Sequence, residues 1–454
     1  MVRTVRSMTH LSLWRSSVTR IVAVLGVVLA AIMFSPGTAS AHASLIGSEP
    51  SYGSTMAAAP ATVRLVFDNP VEPGLVKVRL KDDAGVEIGK ATLVGERVPS
   101  ASIEFTLPAH TTGSFRISWV TFAFDGHVVS GTIPYTIDPS YVAPSTDTSG
   151  AAPTNGAPSD GTAISGNTNK TIDIVEIQAR FFFYIAMAAL FGALGWILLL
   201  RSTSNGEAAV DNDVVGATQL LQRHATTTIL ISSMAAAVIA LLRGGIVAWR
   251  LLDAGYDSNS LLRMLYEGNI GGYALAGGLL IGIWFSSQNW IKLALGAAAC
   301  ALTAALGHAG SAAGSGINTL TMAAHLTLSL AWAGMVCQLA YVASDKSFTT
   351  VENRWLELRP ALDRLGKYLL VGFAVIGISG ARAAVVYSDG IPSGRWGATL
   401  AVKLAVVAGV CGIGLYHYLR GRQGKGLGTW TLVCEAGLLV IVLTTAAVLS
   451  TTNV

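Results

Sequence analysis

The sequence predicts two bodies in series: an N-terminal all-β sandwich and a C-terminal all-α polytopic membrane domain of about eight transmembrane helices. Three observations predict it. Only 12% of the 454 residues are charged, about half the ~25% usual in soluble chains, and the mean hydropathy is +0.55. Short segments before residue 138 alternate apolar and polar side chains with period two. Beyond residue 172 long apolar runs recur, each near the ~20 residues that cross a bilayer as a helix. This composition excludes a cytosolic soluble enzyme and a disordered chain. A net charge of +4 is too small to favour a nucleic acid, so the lipid bilayer is the expected macroscopic partner.

Residues 1–41 read as a signal peptide. Arg3, Arg6, Arg15 and Arg20 stand without an acid before the apolar run Ile21–Phe34, which is short for a span. Ala39-Ser40-Ala41 then supplies the small-x-small pattern of signal-peptide cleavage, and cutting there makes His42 the new N-terminus. An uncleaved anchor is the alternative.

The segment 42–138 has the texture of one β domain. Val76, Val78 and Leu80 alternate with Lys77 and Arg79; Phe115, Ile117 and Trp119 with Arg116 and Ser118; and Ile133, Tyr135 and Ile137 repeat the pattern. Such strands bury one face, which implies a sandwich. His110, in L-P-A-H-T-T-G, is expected to be an exposed turn residue. Residues 139–171 are rich in Ser, Gly, Pro and Thr and carry few large apolar side chains, so a flexible tether is expected there.

In 172–454 the apolar spans fall at about 180–200, 224–249, 270–287, 290–307, 318–342, 364–387, 397–419 and 429–450. With the sandwich exported, the inner loops hold Arg201, Arg223, Lys292, Lys346, Arg354, Arg359, Arg364, Lys367, Arg420, Arg422 and Lys425; the outer loops hold Arg250, Arg263 and Arg395. That bias follows the positive-inside rule and places the chain in the plasma (inner) membrane with its N-terminal domain outside. Cys300, Cys337, Cys411 and Cys434 all lie in apolar stretches and offer no disulfide framework. They read as small core residues, with a soft metal relay as the alternative.

Two exported groups of residues carry metal chemistry. A free α-amine and the imidazole of His42 can chelate one ion together, the amine holding its proton only weakly at a pKa of about 8. Asp125-Gly126-His127 follows the strand F-R-I-S-W-V and places a carboxylate and an imidazole on one side of an extended segment. That nitrogen and oxygen set suits tetragonal Cu(II). On the residues alone, an accidental N-terminal His and a plain D-G-H turn remain open. The stretch H-A-S-L-I-G-S-E-P-S-Y-G-S from His42, V-R-L-V-F-D-N-P-V-E-P from Val63 and S-F-R-I-S-W-V-T-F-A-F-D-G-H-V-V-S-G from Ser114 resembles the CopC family of periplasmic copper-binding proteins. The resemblance implies a cupredoxin-like, Ig-like sandwich with Cu(II) held by His42, Asp125 and His127. It departs where Asn69 stands in the position of a family Glu ligand, and no methionine between Met56 and D-G-H supplies a Cu(I) loop.

Within the spans, Arg243, His308, His325, Arg382, Lys403, His417 and Glu435 are costly and therefore informative. His308 ends the fourth span and His325 lies one to two turns into the fifth, both reached from outside through the small-residue loop G-S-A-A-G-S-G-I-N-T-L; Met322 shares the face of His325. A metal-binding pair and two helix-linking polar residues are equally good readings of these two histidines. Arg243, Arg382 and Lys403 read as partners of carboxylates or as snorkelling side chains.

G-H-A at Gly307, H-L-T-L-S-L-A-W-A-G from His325, L-D-R-L-G-K with G-I-S-G-A-R, G-A-T-L-A-V-K-L around Lys403 and the acidic Glu435 resemble the CopD family of copper-resistance membrane proteins, over about 175–450. Y-H-Y-L-R at His417 departs from that family's pattern. A CopC–CopD fusion implies copper uptake, homeostasis or resistance, with copper as the bound ion, His308 and His325 as an outer membrane site, and a periplasmic or extracellular copper chaperone as a partner. No catalytic residue is expected. A copper sensor or a copper-dependent redox or oxygenase protein is the alternative.

Overall fold

The computed structural model describes residues 45–71, 73–95, 100–122, 128–142, 167–201, 217–253, 256–266, 268–306, 315–344, 351–388, 394–423 and 425–450. The alternating segments form strands β1 (Leu45–Glu49), β2 (Ser54–Met56), β3 (Thr62–Val71), β4 (Lys77–Asp82), β5 (Glu87–Lys90), β6 (Thr92–Val94), β7 (Ser100–Thr106), β8 (Gly113–Phe122) and β9 (Val128–Ile137). They make two sheets, in the orders β1-β3-β7-β6 and β2-β9-β8-β4-β5. Among the described strands, only β2 runs parallel to its neighbour, β9. Period-two burial holds as expected: Val76, Val78, Leu80, Phe115, Ile117, Trp119, Ile133, Tyr135 and Ile137 all point into one core with Leu65 and Phe67. His110 corrects the exposed-turn expectation. Its Nδ1 lies 2.8 Å from the Pro108 carbonyl, the Tyr135 hydroxyl lies 2.6 Å from its Nε2, and its ring meets Phe115 edge-on. The carbonyl can only accept, so Nδ1 carries the proton and Nε2 accepts from Tyr135. This histidine is a clip between a loop and β9.

The apolar runs form helices α1 (Asn167–Arg201), α2 (Ala217–Asp253), α3 (Ser258–Tyr266), α4 (Asn269–Phe285), α5 (Asn289–Ala305), α6 (Ser315–Ser344), α7 (Val351–Ser388), α8 (Gly394–Arg422) and α9 (Thr429–Leu449). The first of them begins inside the segment 139–171 expected to be a tether, so the polar residues from Asn167 on form its leading turns. Among the described residues five helices are long and apolar enough to cross a membrane, or seven when the bent pairs α3–α4 (49°) and Leu358–Gly366 with Val371–Val386 in α7 (41°) each count as one span. The remaining expected span, the fourth, is α5, whose 17 residues rise only about 26 Å against a hydrocarbon core of about 30 Å.

Small residues set the central crossing. A Cβ on Gly334 of α6 would lie 1.7 Å from the Ala188 carbonyl oxygen, and one on Gly192 of α1 would lie 2.3 Å from the Gly334 carbonyl carbon. The backbones touch there, as in small-residue helix crossings in membranes. Trp196 Nε1 donates to the Met335 carbonyl at 3.0 Å and Gln338 to the Ala189 carbonyl at 3.0 Å beside the crossing. Gly334→Leu is expected to force α1 and α6 apart at a cost of at least about 3 kcal/mol. Quantifying membrane-inserted protein checks this, and wild-type abundance would refute it.

A buried ionic knot ties four helices near one end of the bundle. Glu176 of α1 accepts from Arg180 at 2.8 Å and from Arg243 of α2 at 3.0 Å, Arg243 also donates to the Tyr273 hydroxyl of α4 at 2.7 Å, and Arg180 donates to the Ser450 carbonyl beyond α9 at 2.9 Å. Arg243 thus finds the carboxylate expected for it. Removing one member leaves buried guanidinium charge without its counter-ion, which costs about 3–5 kcal/mol. Glu176→Gln is therefore expected to lower the thermal transition of the detergent-purified chain sharply. A shift within measurement error would show the knot to be dispensable.

Candidate metal centre

His42, Asp125, His127 and His308 lie outside the described residues. The strands that flank the first three converge. β1 starts at Leu45 opposite Phe67, β4 starts at Lys77 opposite Val120, and the last pair of β8 and β9 is Phe122 with Val128. Phe67 meets Trp119 edge-on at 5.4 Å, tying the two sheets. The start of β1, the end of β8 and the 3-10 turn Pro73–Leu75 therefore share one end of the sandwich. Among the described residues, two buried donors there, Trp119 Nε1 and Thr121 Oγ1, have no hydrogen-bond partner.

The same end rests on the helices. Leu75 packs with Val247, Leu251, Tyr256, Met264 and Tyr273. The Tyr256 hydroxyl donates to the Leu75 carbonyl, and Lys77 Nζ stands 3.8 Å over the Tyr256 ring. Burial, then the charge of Arg79, lowers the Lys77 pKa, while Asp257 acts the other way. Leu306, directly after α5, packs against this cluster, so the docked end of the sandwich and the C-terminal end of α5 share one apolar cluster.

His325 is the one expected ligand among the described residues. It sits ten residues past Ser315, the first residue of α6, about 15 Å along that helix. Its Nδ1 lies 3.0 Å from both the Ile376 carbonyl and the Ser379 hydroxyl of α7. Because the carbonyl accepts only, Nδ1 holds the proton of the neutral ring and Nε2 keeps its lone pair. Metal-ligating histidines are commonly oriented by such a donation from the other nitrogen. Gly380 makes room: a Cβ there would lie 3.0 Å from His325 Cε1. One helical repeat on, Trp332 meets Phe373 at 4.5 Å and fixes α6 against α7. Arg382 donates to the Asn318 amide oxygen at 2.9 Å. Among the described residues no three His, Cys, Asp or Glu side chains stand together as a metal cage. Cys300 is buried in the helical core, whereas Cys411 is exposed, so the core reading of the cysteines holds for the first and not for the second.

Sequence reasoning missed Glu176 and Arg180, because the first span was taken to begin at about 180. The signal was present: an i, i+4 Glu and Arg followed directly by an unbroken apolar run.

Comparison with known proteins locates a CopC domain at residues 45–138. The chain is 30% identical over 115 residues to the copper transport protein CutJ of Bacillus subtilis strain 168, a match covering 24% of this chain and 21% of that protein. It therefore spans only about a fifth of that relative's length. Among solved structures, CopC from Methylosinus trichosporium OB3b is 27% identical and is matched over 98% of its length and 22% of this chain, with a TM-score of 0.21. PcoC, a methionine-rich copper resistance protein from Escherichia coli, is 21% identical and is matched over its whole length and 22% of this chain, with a TM-score of 0.19.

Proposed function

We propose that this chain captures copper outside the cell and passes it to a CopD-like membrane domain that moves it inward across the plasma membrane. The exported domain holds Cu(II) through His42, freed by removal of residues 1–41, and through Asp125 and His127. A copper chaperone outside the cell can load it. The membrane domain crosses eight times and receives copper at His308 and His325. One observation supports the reading: the end of the CopC domain where β1 begins and β8 ends is the end that docks, through Leu75 and Tyr256, in a cluster that Leu306 at the end of α5 also joins. A docked donor makes hand-over an intramolecular step, at an effective concentration reaching about the mM range. The role is one of binding and transport, with no catalytic residue assigned.

Purified full-length chain in proteoliposomes tests this. Radiocopper is expected to accumulate inside well above protein-free vesicles, and flux at the level of empty vesicles would remove the transport reading.

A further inference from the structure

The second titratable cluster of the helical domain lies at the opposite end of α8 from Lys403, and neither the copper-binding residues nor the ionic knot uses it. His417 of α8 is 8% exposed and Glu435 of α9 is 4% exposed, with His417 Nε2 3.7 Å from a Glu435 carboxylate oxygen. Among the described residues, neither ring nitrogen of His417 has a hydrogen-bond partner. An imidazole and a carboxylate buried side by side are expensive to keep without function.

Among the described residues, the neighbours leave the pair to itself. On α8, Arg420 is in electrostatic range of His417 but spends its donors on the Gly426 carbonyl (3.1 Å) and the Tyr416 hydroxyl (3.1 Å). The Tyr416 ring lies 5.8 Å from the imidazole. Cys411 of α8 and Cys337 of α6 are the thiols in range of Glu435, and Cys434 is its neighbour in α9. Gly414 stands one turn before His417 on the same face, and a Cβ there would still be 4.0 Å from Glu435, so the carboxylate is not walled off from α8. Lys403, Val410, Gly414 and His417 follow one another at helical spacing, and Lys403 is in electrostatic range of His325. The two polar clusters thus lie about 21 Å apart along one helix face, close to the length of a span.

We propose that His417 and Glu435 share one exchangeable proton and that copper movement is coupled to its release. This rests on the transport reading. With the proton, the pair is neutral overall, as imidazole with carboxylic acid or as imidazolium with carboxylate; without it, the pair carries one negative charge. Low-dielectric surroundings penalise that charge unless a cation compensates it, so passage of a copper cation and loss of the proton favour one another.

Infrared difference titration of the full-length chain tests the site without copper. Wild type is expected to show a protonated-carboxyl band that titrates and disappears in E435Q, and H417Q is expected to move its midpoint by about one pH unit, a tenfold change in proton affinity. If E435Q does not insert, the H417Q shift carries the same test. A band unaltered by both substitutions makes the pair a static helix contact and overturns the proposal. In proteoliposomes an imposed pH gradient is expected to change wild-type copper flux about fivefold and to leave E435Q unaffected. A wild-type response in E435Q overturns the coupling. A titrating band with no copper flux in wild type instead supports the proton site and overturns the transport reading.

Discussion

Adding a single residue ahead of His42 is expected to weaken Cu(II) binding by the full-length chain by about two orders of magnitude or more. The reason is covalent. The extension turns the α-amine into a peptide nitrogen, whose lone pair is delocalised into the amide and whose proton is far harder to displace. The chelate ring that the proposed site closes through that amine and the His42 imidazole is then lost, leaving separate donors that must each be ordered at their own entropic cost. The extended chain should fold normally, since the sandwich core begins only at Leu45 and is closed by Phe67, Trp119 and their neighbours. Isothermal titration with Cu(II), together with electron paramagnetic resonance of the bound ion, reads both affinity and ligand set. Unchanged affinity in the extended chain would remove the amine from the site.

What the sequence made legible follows from the range of the interactions involved. Period-two alternation reports a local rule, and Phe115, Ile117 and Trp119 obey it without reference to the rest of the chain. The apolar helices were legible for the same reason, because every backbone group in a span must be satisfied within it. His110 was misread because its environment is made by Tyr135, 25 positions away in sequence, and nothing in L-P-A-H-T-T-G announces that partner. The pairing of His417 with Glu435 was hidden likewise: both residues were visible as costly intramembrane groups, but only the antiparallel packing of α8 on α9 brings them together. The bond from Arg382 to the Asn318 amide was hidden in the same way, since the two residues lie 64 positions apart. Of the candidate copper site, the strand F-R-I-S-W-V ahead of D-G-H was legible, whereas the docking of that end through Leu75 depends on Tyr256 in a different domain.

His325→Asn is expected to abolish copper flux per inserted molecule while leaving abundance near wild type. The structure explains why this change is sharper than His325→Ala. The ring donates from Nδ1 to the Ile376 carbonyl and reaches the Ser379 hydroxyl, both at 3.0 Å, and so links α6 to α7. Alanine would break that link and leave a gap beside Gly380, so lost flux could follow from lost packing. The asparagine amide places a donor at nearly the position of Nδ1 and can keep the interhelical bond, but it has no counterpart of Nε2, the nitrogen proposed to bind metal. Asn therefore removes the ligand and spares the clip, whereas a purely structural role predicts that Asn is tolerated and Ala alone is damaging. The Cu(II) affinity of the N-terminal sandwich should be the same in wild type and in both variants, because His325 lies well inside the helical domain, on α6. Flux normalised to membrane-inserted protein decides between the two roles. Normal specific flux in His325→Asn would show that this histidine holds helices together and does not handle copper.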